Sequence, residues 1–285
     1  MASPQLNALI NRAKFEGRTR RRRKTPEARL PLGISRDYLS FLLKRLRTLQ
    51  DVTNQFLDLQ LPAILDNAQL NSDSVRHDAV EDVIEALFEA IAAAFRTQEQ
   101  PAEAGGVLLE LGEVASAANV QSGRETSRVL KSKLGFDLFT QAPDLSERLG
   151  VFVRQNVKLI KSLENDTLDQ LEQTMLRHLR RGSSQREIRK DLQSRFDLSK
   201  SRASLIARDQ VGKFFGELQR ERQKSLGITE YIWRTASDER VRSTHQDRDG
   251  RKFKWSEPPS DGHPGEPIRC RCTAEPVIPG FTEED

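Results

Sequence analysis

Apolar residues recur at helical spacing from Leu39 to Leu218, and this pattern constrains the fold more than any other feature. Leu39, Leu42, Leu46, Leu49, Val52, Phe56 and Leu59 follow one another at steps of three and four. Such steps keep one apolar stripe along a helix, close to a coiled-coil seam. Ser35 is placed to cap this helix, and Asp37 in its first turn favours the dipole. Pro62 is expected to end or kink it. A second helix is expected from about Asp73, with Val80, Ile84, Leu87, Ile91 and Ala94 on its apolar face. Two such helices read as an antiparallel hairpin. "QEQPAEAGG" at 98–106 breaks the pattern, and a weaker helical stretch rich in small residues follows from about Val107 to Leu134.

Helical spacing resumes after "QAPD". Leu168, Leu171, Met175 and Leu179 line a helix that stops at Gly182, a suitable residue for a left-handed C-terminal turn. "SQRE" at 184–187 is a capping box that opens a short helix with Ile188 and Leu192 inward. Ser199 is expected to cap the next helix, where Ala203, Ile206, Ala207, Val211, Phe214 and Leu218 face the core and Gly227 closes it. A short helix, a tight turn and a longer helix also fit a helix-turn-helix reader of DNA. Against that, the second helix opens with Lys200, Ser201 and Arg202 before an apolar face, which suits a packed hairpin better.

Beyond Gly227 the period falls to two. "ITEYIWRTA" is rich in β-formers, "RDG" signals a turn, and "RKFKW" alternates with Phe253 and Trp255 on one side. "IRCRCTA" alternates again, which as a strand would put Ile268, Cys270, Cys272 and Ala274 on one face. The expected class is α+β: a mainly helical N-terminal stem with coiled-coil-like helices and a small C-terminal α/β head with a short β-sheet. The expected segments are a basic flexible arm at 1–34, a helical hairpin or stem at 35–140, a helical bundle at 141–228, a β-containing unit at 229–279 and an acidic tail at 280–285.

Composition narrows the class. Charged residues make up 31% and hydrophobic ones 36%, a balance that suits amphipathic helices more than a compact enzyme core. Aromatics at 6% argue against a stacking platform for single-stranded nucleic acid. No apolar run approaches the ~20 residues needed to cross a bilayer, and Met1 to Arg23 lacks the apolar core of a signal peptide, so no membrane step is expected in assembly. The net charge of +4 is unevenly spread. "GRTRRRRKT" carries six cations, Arg18, Arg20, Arg21, Arg22, Arg23 and Lys24. Such a block repels itself, and it reads either as a solvated tail or as an arm that binds a polyanion.

An ordered series of motifs in the second half resembles a known family. "LIARDQ" on a helix, a "SLGI" turn, a Trp-bearing strand, "DERVRSTH", a Gly turn, "GHPGE" and "CRC" follow one another as in the Mu F-like phage head morphogenesis proteins. The resemblance covers about Asn156 to Ile278. It implies a non-enzymatic minor head protein of a tailed phage, in the virion at the capsid interior or portal vertex, after assembly in the host cytoplasm. The implied partners are the portal protein, with scaffold or major capsid protein and packaged DNA as further candidates. The motif residues that would organise the C-terminal unit are Trp233, Asp238, Arg240, Arg242, His245, Gly250, His263, Pro264, Cys270 and Cys272, with Trp255 beneath them.

The chain has two cysteines and four histidines, and His245, His263, Cys270 and Cys272 fall within one short stretch. Their types suit zinc. Some members of the family read Cys-x-x-Cys where this chain has Arg242 to His245, and a guanidinium cannot bind metal. If residues 268–274 were one extended strand, Cys270 and Cys272 would also stand about 6.6 Å apart, too far for one zinc unless the strand bends. The expectation is therefore no cofactor, with zinc possible: the thiols pack as small hydrophobes and the histidines hydrogen-bond loops. The alternative functions are a DNA-binding protein or a metal-dependent nuclease, with His245 as base and Asp238, Glu239 and Asp249 as metal ligands.

Overall fold

A computed structural model describes residues 4–15, 26–70, 77–135, 143–278 and Phe281. The arm cations Arg18 to Lys24, the expected helix start near Asp73 and all of the acidic tail except Phe281 lie outside the described residues. Five long or medium helices come first: α1 (Pro4–Phe15), α2 (Leu32–Leu70), α3 (His77–Leu134), α4 (Ser146–Arg180) and α5 (Gln185–Ser225). Then follow β1 (Glu230–Arg234), the single turn α6 (Ser243–Gln246), β2 (Lys252–Lys254) and β3 (Thr273–Pro276). The protein is α+β, helical first and with a small antiparallel sheet at the C-terminal end.

The helices are longer than their sequence punctuation suggests. α2 passes through Pro62 instead of ending there. Pro62 is solvent-exposed, while Leu61 and Ile64 beside it are buried, so packing of the apolar face offsets the lost backbone hydrogen bond. α3 likewise runs through "QEQPAEAGG" without a break. Ser35 is not the cap of α2: it lies inside the helix, and its hydroxyl donates back to the Pro31 carbonyl at 3.2 Å. Ser199 does the same inside α5, donating to the Arg195 carbonyl at 3.1 Å and accepting from the Thr167 hydroxyl at 2.9 Å. α5 is thus one helix with no turn at Ser199, which removes the helix-turn-helix reading. The capping box at its start is real: the Ser184 amide and hydroxyl donate to Glu187 Oε2 at 2.8 and 2.7 Å. Gly182 and Gly227 take positive φ at the ends of α4 and α5, as expected.

The chain forms two compact units built from non-contiguous segments, because the long helices run from one into the other. One unit holds 37–111 and 154–207. Its core joins Leu49, Val52, Leu57, Leu61 and Ile64 of α2 to Ile84, Leu87 and Ile91 of α3, with Leu168, Leu171 and Met175 of α4 and Ile188 and Leu192 of α5. Leu59, expected on this stripe, is 80% exposed.

The other unit holds 1–36, 112–153 and 208–285. Its sheet has the order β2-β1-β3, all antiparallel, with Tyr231 opposite both Phe253 and Pro276. Tyr231, Trp233, Trp255, Cys272 and Ala274 form the core beneath it. Buried Glu275 of β3 pairs with Lys133 of α3 at 2.8 Å and with Arg234 of β1 at 2.5 Å. The second half of α5 joins this unit through Arg222, which donates to Ser122 Oγ at 3.0 Å and to the Asn119 carbonyl at 2.9 Å.

Candidate functional site

The segment from Gly262 to Cys272 lies on α5, and two glycines of the helix let it approach. A Cβ at Gly216 would stand 2.9 Å from the Pro264 carbonyl oxygen, and one at Gly212 would be 4.0 Å from the Cys270 carbonyl oxygen. Asp209 of α5 accepts the Arg269 amide at 2.9 Å and pairs with Lys213 at 2.7 Å. Arg269 has φ +58°, a left-handed conformation that non-glycine residues seldom adopt. The Cys270 amide donates to the Pro267 carbonyl at 2.9 Å. The chain therefore turns through residues 267–270 and becomes a strand only at Thr273. This overturns the alternation expected for "IRCRCTA": Ile268 is 59% exposed and does not share a face with the cysteines. Cys270 lies in this turn and not in one extended strand with Cys272, so the spacing of about 6.6 Å does not apply to the pair.

The bend gathers three donors. One donor atom each from His245, Cys270 and Cys272 lies within 4.8 Å of the other two. His245 Nδ1 is 3.4 Å from Cys272 Sγ and 3.7 Å from Cys270 Sγ. His245 sits on α6, whose turn is held by its amide donating to the Arg242 carbonyl at 3.0 Å. Its other nitrogen, Nε2, faces Asp261 Oδ2 at 2.9 Å, and Arg248 donates to Asp261 Oδ1 at 2.5 Å. Trp233 meets the imidazole edge-on at 5.1 Å, and the Arg248 guanidinium lies over the Trp233 ring at 5.1 Å. The amides of Gly265 and Cys272 each donate to Cys270 Sγ at 3.4 Å. The hydrogen bond with Cys272 lowers the Cys270 thiol to about 6, and these two amides and His245 act the same way against burial. The same shared proton, together with burial, pushes the Cys272 thiol up. His245 is 2% exposed and Cys272 4% exposed.

His263 is not in this cluster. Its Nδ1 meets the Tyr231 hydroxyl at 2.9 Å, and its ring leans on Trp255 at 4.9 Å. Burial holds its pKa below the ordinary histidine range. The remaining expected residues have structural roles. Arg242 donates to the Ile268 carbonyl at 2.7 Å, so the residue at the missing ligand position clamps the bend. Asp238 is bidentate with Arg271, and its carboxyl is held below the ordinary carboxylate range first by that hydrogen bond. Arg240 is exposed, and its amide donates to Asp238 Oδ1 at 3.0 Å, so its side chain is not in the organising core. Gly250, at φ +76°, donates to the Trp233 carbonyl at 2.9 Å. Pro264 is buried at the contact with Gly216.

The nuclease constellation does not assemble among the described residues. Asp238 is committed to Arg271, Asp249 accepts the Thr235 amide at 2.8 Å, and His245 turns to the thiols and Asp261. Asp261, Arg248, Asp209, Gly212 and Gly216 escaped the sequence reading. A buried histidine needs a partner on each nitrogen, which was the one signal for Asp261.

Residues 169–275, which contain the whole cluster, match the family model described as Phage Mu protein F like protein. The chain is 33% identical over 167 residues to an uncharacterized protein of Haemophilus influenzae (strain ATCC 51907 / DSM 11121 / KW20 / Rd). The aligned part is 57% of this chain and 37% of that relative, so the chain spans little more than a third of the relative's length. No solved structure matches the chain significantly.

Proposed function

We propose, from the match of residues 169–275 to the Phage Mu protein F like family model, that this chain acts in head morphogenesis as a minor head protein of a tailed bacteriophage. In this reading it joins the virion during assembly in the host cytoplasm and contacts the portal protein, with scaffold or major capsid protein as further neighbours. The family match carries the reading. The motif residues agree with a structural role: His245 and Cys272 are almost wholly buried, and Arg242, Asp238 and Gly250 hold turns. Among the described residues no helix is long and apolar enough to cross a membrane.

The test is to delete the gene in the phage or prophage that carries it and to examine the particles. The expected result is this protein in purified heads by mass spectrometry, co-purification with portal protein, and defective heads in its absence. Heads that lack the protein and assemble normally without it would overturn the reading.

In the same role the cations Arg18 to Lys24 grip a polyanion, here packaged DNA. If four of them meet phosphates, log affinity against log salt on duplex DNA has a slope of about −3.6. An arm-deleted protein with the same affinity and slope would remove the arm from this role.

A further inference from the structure

We propose that His245, Cys270 and Cys272 bind one zinc ion through His245 Nδ1 and the two sulfurs, with Asp261 holding the imidazole from its far side. The donor set is the first argument. One imidazole and two sulfurs form a combination that suits zinc and not magnesium or calcium. In the described structure their atoms all lie within 4.8 Å of one another. Around a tetrahedral zinc with bonds of about 2.0–2.3 Å, neighbouring nitrogen and sulfur donors stand about 3.6 Å apart. The observed separations from Nδ1 to the two sulfurs, 3.4 and 3.7 Å, bracket that value.

The orientation of the ring is the second argument. The Asp261 carboxylate accepts at Nε2, so a neutral His245 carries its proton there and turns the Nδ1 lone pair to the thiols. Carboxylate, imidazole and metal in line is the arrangement that fixes tautomer and ring angle at metal sites. Arg248 in turn anchors Asp261, and Trp233 walls the ring. Two sulfurs converge on one nitrogen lone pair, which can accept from only one S–H donor at a time. The backbone amides of Gly265 and Cys272 both point at Cys270 Sγ, as donors do toward sulfur that carries charge. A metal resolves all three features at once.

The fourth ligand is a water. Among the described residues the group contains no fourth His, Cys, Asp or Glu. His263 is engaged with Tyr231, and Arg242 with the Ile268 carbonyl. Cys270 is only partly buried, so solvent reaches the cluster from its side. The zinc thereby ties α6 to the Arg269 bend.

The full-length chain is purified without chelator and its zinc measured by elemental analysis. Cobalt(II) is then added to the chelator-stripped protein. The expected result is one zinc per chain, thiolate-to-cobalt charge-transfer bands in the near ultraviolet, tetrahedral bands in the visible, and a lower Tm in chelator. His263→Gln retains the metal and Cys272→Ser loses it. Asp261→Asn binds zinc about 10- to 100-fold more weakly. The cobalt spectrum needs no variant, so misfolding of a mutant does not obscure the outcome. A protein isolated without zinc, with no charge-transfer band on cobalt addition and an unchanged Tm in chelator, would overturn the site. So would zinc lost in His263→Gln and kept in Cys272→Ser. Neither result bears on head assembly, which is read from particles and not from metal content.

Discussion

Gly216 of α5 and Pro264 are in backbone contact: a Cβ on Gly216 would come within 2.9 Å of the Pro264 carbonyl oxygen and 3.5 Å of Gly265 Cα. A glycine inside a helix costs about 1 kcal/mol relative to alanine. At Gly216 alanine must nonetheless displace backbone that cannot swing aside. Gly216→Ala is expected to lower Tm, and Gly112→Ala, whose Cβ meets nothing within 4 Å, to raise stability by up to about 1 kcal/mol. Thermal unfolding of the two variants checks the contrast. Equal shifts in the same direction would show that the segment does not rest on α5 through this glycine.

The apolar stripes of α2 to α5 and the strands β1 and β2 were legible because each rests on local spacing, whereas α1 (Pro4–Phe15) falls in the segment expected to be a flexible arm. The stripe of α2 shows where that reading stops. Helical residues turn about 100° each, so Leu59, thirteen residues on from Leu46, lies about 140° away round the helix, whereas Leu57 lies about 20° away and Ile64 falls back in line. Steps of three and four look alike in sequence, but too many threes walk the stripe off the core. Pro62 and Ser199 misled for a different reason. Their local cost is real, and burial along the rest of the helix outweighs it. The donor cluster was legible in residue type and not in geometry. It depends on Arg269 at positive φ, a conformation for which an arginine gives no sequence signal and which the distant Asp209 holds in place.

Leu57 is 1% exposed in the core that joins α2 to α3, and Leu59, two residues on, is 80% exposed. Leu57→Ala is expected to cost about 2–5 kcal/mol. Leu59→Ala is expected to stay within about 0.5 kcal/mol of the parent. Denaturant unfolding measures both, and comparable losses would mean the face of α2 is misplaced.

Arg45 Nε donates to Glu164 Oε1 at 2.5 Å, and both side chains are buried. Removing either partner leaves a charge in a dry place, so Arg45→Met or Glu164→Leu alone is expected to cost about 3–5 kcal/mol. The double change Arg45→Met with Glu164→Leu is expected to recover most of that loss, because apolar groups then meet each other and the Phe41 and Phe95 rings that lie about 6 Å from the guanidinium. A four-member double-mutant cycle gives the coupling. A double variant as unstable as the two single losses added together would show that the pair acts through something other than mutual compensation.

Glu172 of α4 carries the opposite kind of electrostatics. Burial, and then the negative charges of Asp169, Glu85 and Glu89, hold its carboxyl above the ordinary glutamate range. A carboxyl with a raised folded pKa favours the protonated folded state. It therefore costs stability above its folded pKa, and the cost vanishes once pH falls below the unfolded value of about 4.3. Glu172→Gln removes a charge that repels its neighbours and keeps the shape. At pH 7 it is expected to stabilise the protein by roughly 0.5 kcal/mol, small because Glu172 is only half-buried and solvent screens it. At pH 4 the parent side chain is largely protonated in both states, and the gain is expected to disappear. Parallel melting curves of parent and variant at the two pH values decide it. A gain of equal size at both would assign the effect to side-chain packing, and a loss at pH 7 would show that Glu172 has a cationic partner and not three acidic ones.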